Sequence, residues 1–347
     1  MKAIALGRGG TTAEDLEGRV ICQDVRDTSR KIVVEKGAVL DATSAARLLE
    51  LPWQTLHVLE LEPGDLHEEP AGARLAQAAV GDGVAVKGYH GGQWTLSATR
   101  RGLLRVKREA LAHVNTQEGM AVFTLYDLQP VEAGETVGRA KISPLAIAES
   151  LVKRAEERAW AAGGLLSVKS FAPRRIGALT RSNLEARQRA RFEAALTEKV
   201  DWLESTLLPV RYCDDEPGAV VDALTALAGE GADILIAAGA ASLDPLDSIF
   251  EGLRLAGGQM IRHGVPAHPG SLLWVARWNE RPVLGMPACG MFSQATAFDL
   301  VLPRILAAEA VGIAELAGLG HGGLLSRDSA WRFPPYRQSA ARGELPE

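Results

Sequence analysis

The sequence contains little cysteine and has no long apolar run. Its 3 cysteines, Cys22, Cys213 and Cys289, are odd in number and lie far apart along 347 residues. Such spacing supports neither a disulfide framework nor a zinc site, so we expect a reducing, cytoplasmic location. A membrane-spanning helix needs about 18 or more consecutive apolar residues, and the sequence offers no such run. We therefore expect no membrane association.

The chain also lacks a charge excess that would attract polyanions. Its 38 Lys and Arg against 43 Asp and Glu give a formal net charge of −5 at pH 7. The basic pairs Arg100-Arg101 and Arg174-Arg175 are short and isolated. Long-range attraction to nucleic acid needs a broad basic surface. We therefore predict no nucleic-acid partner and interpret both pairs as solvated surface.

The length is sufficient for two or three domains, and the texture of the sequence changes along the chain. Strands alternating with helices predict a mostly parallel sheet covered on both faces, whereas short strands between turn signals such as Gly91-Gly92 predict hairpins. We predict an α/β fold, a three-layer, mostly parallel sheet preceded by a smaller β-rich module. The predicted segments are an N-terminal α/β segment (1–65), the β-rich module (66–149), the main α/β domain (150–325) and a polar tail (326–347).

Three loops of small residues, each next to an apolar run, are the most informative pattern in the α/β region. Ligands of open α/β sheets bind outside the carboxyl ends of the strands, so loops at these ends predict one shared crevice. Backbone amides of such loops bind phosphate and other oxyanions, especially beside a helix N-terminus. The loops are GAASLDPLD (239–247), PGSL (269–272) and GMPACG (285–290), of which the last is expected to open a helix from Phe292.

Two carboxylates in the first loop allow two interpretations. Asp244 and Asp247 are placed where they could hold Mg²⁺, which prefers one or two carboxylates together with substrate oxygens. Either residue could instead cap the helix that the pattern predicts over 246–256, and spacing alone favours the cap. Both interpretations stay open at the level of sequence.

Other polar residues near the loops have a structural interpretation first. Cys289 lies among small residues, and no adjoining His or Lys would activate its thiol. His263 and His268 have no evident third metal ligand, so we interpret them as loop residues at the rim of a pocket. Asp214 and Asp215 directly precede a predicted helix, where capping is the usual role of aspartate.

Taken together, the three loops resemble those of the molybdopterin-binding fold of molybdenum-cofactor biosynthesis proteins. In that family, which includes molybdopterin molybdotransferase, a GG-x-S-x-G/D-x-x-D loop, a PG-x-P/M loop and a G-L-P-G-N/C loop follow one another in this order. The chain is most similar to stand-alone molybdopterin-binding proteins, which carry a leading β-rich module and a helix like FDLVLPRILA (298–307). The resemblance covers the α/β region well and the remainder loosely.

The resemblance implies a role for each loop. The first loop would hold the terminal phosphate of molybdopterin through Gly239, Ala240, Ala241 and Ser242. Asp244 and Asp247 would stand where the family places catalytic acidic residues near metal and molybdate, with Mg²⁺ as the expected ion. The remaining residues expected to line the crevice are Pro269, Gly270, Ser271, Gly285, Pro287, Ala288 and Cys289.

The chain departs from the family pattern at three places, one of which is the segment 319–336, where related stand-alone proteins carry a cysteine cluster and this chain has no cysteine. Ala240 stands where a second glycine is expected in the first loop. The T-G-x-E turn after the first strand of the domain begins here with Thr180 and Arg181, so its glycine is missing. Its glutamate is replaced by Leu184 or displaced to Glu185. Because the family ties this acidic group to metal insertion, the departure favours binding over catalysis.

Three functions are compatible with the resemblance. The first is Mg²⁺-dependent insertion of molybdate into molybdopterin, in which the protein acts by positioning and electrostatics. The second is a non-catalytic carrier that delivers the finished cofactor to a client molybdoenzyme. The third, less favoured, is a nucleotide pyrophosphatase of the same fold, for which the sequence offers no supporting base or metal cluster. A homo-oligomer is implied by the resemblance alone.

Overall fold

The computed structural model describes residues 1–292 and 295–336, and within them the chain forms two compact units. The first unit comprises Met1–Thr99, Val106–Leu125 and Thr136–Ser167, and the second comprises Arg100–Arg105, Tyr126–Glu135 and the described residues from Val168 onward. The predicted tail lies outside the described residues from position 337 onward. No helix in the described ranges combines the length and the apolar content needed to cross a membrane.

The described residues form short strands and helices that are numbered here in chain order. The strands are β1 (Lys2–Gly7), β2 (Val20–Ile21), β3 (Val25–Arg26), β4 (Ile32–Val34), β5 (Thr55–Glu60), β6 (Asp65–His67), β7 (Val84–His90), β8 (Gln93–Ala98), β9 (Gly102–Val106), β10 (Met120–Thr124), β11 (Pro130–Val131), β12 (Thr136–Ile142), β13 (Ala146–Ala148), β14 (Leu166–Lys169), β15 (Arg175–Arg181), β16 (Thr206–Leu207), β17 (Arg211–Cys213), β18 (Ile234–Ala238), β19 (Gln259–His263), β20 (Trp274–Trp278) and β21 (Arg281–Met286). The helices are α1 (Ala42–Glu50), α2 (Glu68–Ala79), α3 (Arg108–Asn115), α4 (Glu149–Ala161), α5 (Ala186–Trp202), α6 (Pro217–Gly229), α7 (Ser248–Leu255), α8 (Phe298–Leu306) and α9 (Ile313–Ala317).

The first unit contains small antiparallel sheets, one of which has the order β10–β12–β8–β7. The hairpin predicted at Gly91-Gly92 is confirmed, because β7 pairs with β8 and His90 lies opposite Gln93. Both glycines have positive φ, 56° and 75°, as a two-residue turn that follows the twist of the strands requires. The β-rich texture of this stretch therefore corresponds to real strand pairing.

The second unit is built on a seven-stranded sheet with the order β16–β15–β18–β21–β20–β19, and β17 also pairs with β15. Strands β15, β18 and β21 are parallel, whereas β20 is antiparallel to both of its neighbours. The sheet is therefore mixed. The reversal arises at a two-residue turn, where Asn279 and Glu280 both take positive φ and Trp278 pairs with Arg281. A turn of this length joins antiparallel strands.

Strand β18 lies at the centre of this sheet, and each of its residues is buried. Successive side chains of a strand point to opposite faces, so a run that is apolar throughout indicates burial on both. Ile234 and Ile236 belong to the apolar cluster that includes residues of α5 and α8. Leu235 and Ala237 belong to the cluster that includes residues of α6 and α7. Helices therefore pack against both faces of β18.

The strand register determines which loops meet. Thr180 near the end of β15 lies opposite Ala238, the last residue of β18, and Ala238 lies opposite Met286, the last residue of β21. The antiparallel strand β20 begins at the same side, because Trp274 pairs with Gly285. We call this side of the sheet the carboxyl edge.

Candidate functional site

The three small-residue loops lie at the carboxyl edge of the seven-stranded sheet. The loop 239–247 follows β18, the loop 285–290 continues β21 beyond its last residue, and these two strands are direct neighbours. The loop 269–272 leads into β20, which pairs with β21 on its other side. The expectation that all three loops share one edge is thus confirmed, even though the sheet is not wholly parallel.

The first loop turns sharply at Gly239, where φ is 81°. A side chain there would be strained, and its Cβ would lie 3.2 Å from the hydroxyl oxygen of Thr180. Ala240 and Ser242 are partly buried, and the Ser242 hydroxyl donates to the Ala240 carbonyl at 3.5 Å. The amide of Ala241 donates to Asp247 Oδ2 at 2.7 Å, so the loop is folded back onto its own last residue.

A buried hydroxyl without a partner lies directly beside this loop. Thr180 is 1% exposed, and among the described residues its Oγ1 has no hydrogen-bond partner. Burying an unpaired hydroxyl costs about 1–3 kcal/mol, so such groups in proteins need an explanation. The hydroxyl faces the position where Gly239 lacks a side chain. Sequence reasoning treated Thr180 only as the first residue of a turn.

Asp247 caps helix α7, as the capping interpretation of the first loop predicted. Its Oδ1 accepts a hydrogen bond from the Ile249 amide at 3.0 Å. Its Oδ2 accepts from the Ala241 amide and also pairs with Nη2 of Arg181. The side chain is 1% exposed, so this carboxylate is both buried and compensated.

Asp244 has a different environment from Asp247. It is exposed, and its Oδ1 accepts from the Leu246 amide at 2.9 Å, which is the turn that aspartate commonly makes with its own backbone. Within the described ranges, no three or more His, Cys, Asp or Glu side chains converge on a place for a metal ion. The assignment of Asp244 and Asp247 as catalytic and Mg²⁺-binding residues stays a prediction.

The aspartates that precede α6 do not cap it, contrary to the sequence-based interpretation. The N-cap position is Glu216, which makes no side-chain cap bond. Asp214 Oδ1 instead accepts from the Ser182 hydroxyl at 3.0 Å. Asp215 Oδ1 accepts from the Ser248 hydroxyl at 2.5 Å and pairs with Nε of Arg181 at 3.1 Å. These two aspartates thus bond to neighbouring elements and not to the helix that follows them.

The second loop packs closely against the segment that leads into α8. Gly270 is buried with φ of 104°, and a Cβ there would lie 2.7 Å from the Ala297 amide nitrogen. That amide donates to the Pro269 carbonyl at 3.0 Å. Ser271 is exposed at the carboxyl edge. Packing therefore explains the glycine, while the serine remains accessible.

The third loop begins at a glycine that packing requires. Gly285 is buried beneath the indole ring of Trp274, and any Cβ at position 285 would overlap that ring. Pro287 is also buried, whereas Ala288 and Cys289 are exposed in a short 3₁₀ turn over Ala288–Gly290. The last two residues are thus the accessible part of this loop.

The helix after the third loop starts later than the sequence pattern predicted. We expected it from Phe292, but α8 begins at Phe298, and residues 293–294 lie outside the described part of the chain. The Thr296 amide donates to Asp299 Oδ2 at 2.7 Å, and the Thr296 hydroxyl accepts from the Phe298 amide at 3.2 Å. These bonds satisfy amides at the start of the helix and fix it there.

A buried ion pair lies behind this helix start. Lys199 of α5 pairs with Asp299, and their side chains are 3% and 0% exposed. The Tyr336 hydroxyl donates to Asp299 Oδ1 at 2.7 Å. Desolvation, followed by the adjacent charge and hydrogen bond of Asp299, raises the pKa of Tyr336 well above its ordinary value. Asp299 therefore joins α5, the start of α8 and the segment at Tyr336.

The two histidines near the second loop and Cys213 differ in their exposure to solvent. His263 and His268 are exposed, and the ring of His263 lies 5.0 Å from that of Phe250. Cys213 is buried at the end of β17, and desolvation raises the pKa of its thiol, so it is not an activated nucleophile. The accessible polar groups of the loops are those of Ser242, Asp244 and Ser271, together with the Cys289 thiol.

Comparison with known proteins adds little to this description. No protein-family model matches the chain, and no curated protein matches it. Among solved structures, the chain is similar to a molybdopterin biosynthesis MoeA protein from Pyrococcus horikosii. The identity is 11%, the match covers 88% of this chain and 75% of that one, and the TM-score is 0.29. A similarity of this strength carries no argument on fold or function.

Proposed function

We propose that the protein binds molybdopterin, or the finished molybdenum cofactor, through its phosphate at the carboxyl edge of the seven-stranded sheet. The observation that carries the proposal is the buried, unpaired Thr180 hydroxyl beside Gly239. A donor of this kind is explained by an acceptor that arrives with a ligand. The resemblance of the loops indicates that the ligand is molybdopterin. The open backbone at Gly239 and the Thr180 hydroxyl beside it indicate that the phosphate of this ligand binds there.

The place suits a phosphate for geometric reasons. Gly239 begins a loop that has no bulky side chain until Leu243, so a ligand can approach the backbone closely. Helix α7 starts just after this loop, and a helix N-terminus favours negative charge nearby. Ser242 and Ser271 add hydroxyl groups in two loops of the same edge, which the strand β21 separates. We propose Ala288 and Cys289 as further contacts for the pterin-bearing part of the ligand.

Delivery of the cofactor is the activity that we favour over molybdate insertion. In the insertion hypothesis, Asp244 and Asp247 would share a Mg²⁺ ion that positions molybdate. Asp247, however, already serves as a helix cap and as the partner of Arg181. We therefore propose a carrier for a client molybdoenzyme, acting in the cytoplasm as a homo-oligomer. Molybdate-dependent conversion of bound molybdopterin by the purified protein with Mg²⁺ would instead establish the enzyme.

The test of binding is a calorimetric titration of the purified protein with molybdopterin under anaerobic conditions. Thr180→Val removes the hydroxyl and keeps the shape of the side chain. Because that hydroxyl has no partner in the free protein, the variant should unfold at the same temperature or higher. Loss of one hydrogen bond to a charged ligand should weaken binding by about tenfold.

Thr225→Val is the matched control, since Thr225 is exposed on α6 and its hydroxyl bonds to the Val221 carbonyl at 2.8 Å. It should leave the dissociation constant unchanged. Wild-type protein that does not bind molybdopterin would refute the proposed function. Equal affinity of Thr180→Val and wild type would refute the role of the hydroxyl.

A further inference from the structure

The Arg181 guanidinium lies between two carboxylates at the carboxyl edge. Its Nη2 pairs with Oδ2 of Asp247, and its Nε lies 3.1 Å from Oδ1 of Asp215. The three side chains differ in exposure, with 17% for Arg181, 1% for Asp247 and 61% for Asp215. Asp247 is thus the partner that water does not reach, and Arg181 is its cation.

The carboxylate of Asp247 has little capacity left for a metal ion. A carboxylate offers about four lone-pair positions on its two oxygens. Two backbone amides, those of Ala241 and Ile249, and the guanidinium of Arg181 occupy three of them. Mg²⁺ dehydrates reluctantly and keeps several waters in proteins. A side chain with 1% exposure offers no room for such a hydrated ion.

Charge leads to the same conclusion. A buried carboxylate needs a counter-charge, and arginine supplies a permanent one because it does not deprotonate in proteins. A divalent cation on Oδ2 of Asp247 would lie next to the Arg181 guanidinium and be repelled by it. Asp244 is exposed and bonded to its own backbone, so it does not form a second buried ligand. The residues present do not fit the Mg²⁺ ion that the loop resemblance implies.

We propose that Arg181 takes the place of a divalent cation, so that the crevice binds its phosphate-bearing ligand without metal. This inference rests on the proposed function, because it concerns the same ligand at the same edge. Arg181 neutralises Asp247 in the free protein, and the phosphate therefore meets a loop whose buried carboxylate carries no uncompensated charge. Arg181 is a positioning residue in this proposal, since it acts on the ligand through Asp247 and the loop amides.

The first experiment uses only wild-type protein. Molybdopterin is titrated into it once with millimolar Mg²⁺ and once with EDTA, and Mn²⁺ binding is measured separately by electron paramagnetic resonance. The dissociation constants should agree within about a factor of two, and the Mn²⁺ signal should remain that of the free ion. Affinity that disappears in EDTA and returns with Mg²⁺ would overturn the proposal.

The second experiment removes the positive charge of Arg181. Arg181→Gln should weaken molybdopterin binding by roughly tenfold in EDTA, because Asp247 is left uncompensated near the phosphate. The same variant should acquire a Mn²⁺ site, and Mg²⁺ should restore part of its affinity for molybdopterin. Asp215→Asn is the matched control, since it removes the exposed partner of Arg181 and keeps the buried pair. It should show neither change.

The two proposals fail in different ways. If wild-type protein binds molybdopterin only with Mg²⁺, Arg181 does not replace a cation, while the proposed function stands. If wild-type protein binds molybdopterin in neither condition, both are refuted. A Mn²⁺ site in wild-type protein that Asp247→Asn abolishes would overturn the role of Arg181 even if every arginine variant failed to fold.

Discussion

Asp247 and Asp299 are both buried aspartates at the start of a helix, yet their cationic partners differ in kind and in exposure. Asp247 caps α7 at the carboxyl edge and pairs with Arg181, which is 17% exposed. Asp299 lies in the first turn of α8 and pairs with Lys199, which is 3% exposed. Each carboxylate also accepts a backbone amide just outside its helix, from Ala241 and Thr296 respectively.

The two ion pairs differ in how far water reaches the cation. The guanidinium of Arg181 retains contact with water and has a second, exposed partner in Asp215, so its charge is partly solvated. Lys199 and Asp299, by contrast, are both excluded from solvent. Breaking a fully buried pair leaves an uncompensated charge, which is among the costliest changes in a protein. Asp299 therefore matters chiefly for stability, whereas Asp247 is the residue that our proposal connects with the ligand.

Among these substitutions, removal of Asp299 should lower the free energy of unfolding most. Asp299→Ala leaves the Lys199 ammonium buried without its carboxylate and takes the acceptor from the Tyr336 hydroxyl. We expect the free energy of unfolding to fall by about 3–5 kcal/mol. Urea denaturation followed by circular dichroism measures it. A loss below about 1 kcal/mol would show that water compensates the lysine.

Removal of Asp247 should lower the free energy of unfolding less than removal of Asp299 does. Asp247→Ala deletes the cap of α7 and one partner of Arg181, but the arginine remains partly solvated. We expect a loss of about 2–3 kcal/mol, of which the cap accounts for about 1. The same urea titration applies, with Asp244→Ala as the control that should not change stability measurably. A loss equal to that of Asp299→Ala would remove the distinction between the two regions.

Tyr336→Phe should have a smaller effect that depends on pH. The variant loses a hydrogen bond to a buried carboxylate, worth about 1.5 kcal/mol near neutral pH. Since the folded-state pKa of Tyr336 is raised, the unfolded chain releases this proton first as pH increases. Wild type should therefore lose stability from about pH 10 upward, and more steeply than the variant. Parallel curves in this range would contradict the raised pKa.

Exchange of the whole core pair should have the smallest effect. In Lys199→Met with Asp299→Asn, no charge is buried. The asparagine oxygen, placed where Oδ2 was, accepts from the Thr296 amide, and its NH2 group donates to the Tyr336 hydroxyl oxygen instead of accepting from it. Replacing both members of a buried pair is often nearly neutral. We expect a net change within about 1 kcal/mol of wild type by urea denaturation. A double variant as unstable as Asp299→Ala would mean that the charges themselves hold α8.

Local sequence patterns correctly predicted the structural features that depend on neighbouring residues. The apolar run of β18 and the glycine pair between β7 and β8 were correctly interpreted, because burial period and turn chemistry are properties of neighbouring residues. The common edge of the three loops followed from strand direction. The antiparallel direction of β20 was not predicted, since a strand that is buried on both faces has the same apolar pattern in either direction.

The ion pairs between residues that are far apart in the sequence were not predicted, for a physical reason. Arg181 and Asp247 are 66 residues apart, and Lys199 and Asp299 are 100 apart. Each of these residues is compatible with an exposed position until the fold buries it. The unpaired Thr180 hydroxyl is still harder to foresee, because it is defined by the absence of a neighbour. A cap at Asp247 could be predicted, but the cation that neutralises it could not.

The contact between Gly285 and Trp274 restricts how this edge can change during evolution. The indole ring occupies the volume that any side chain at position 285 would need. Relatives that carry a side chain there must carry a smaller residue at position 274, so the two positions should covary. A glycine at position 285 in such relatives would then reflect the size of the residue at position 274 in the neighbouring strand, and not the identity of the ligand.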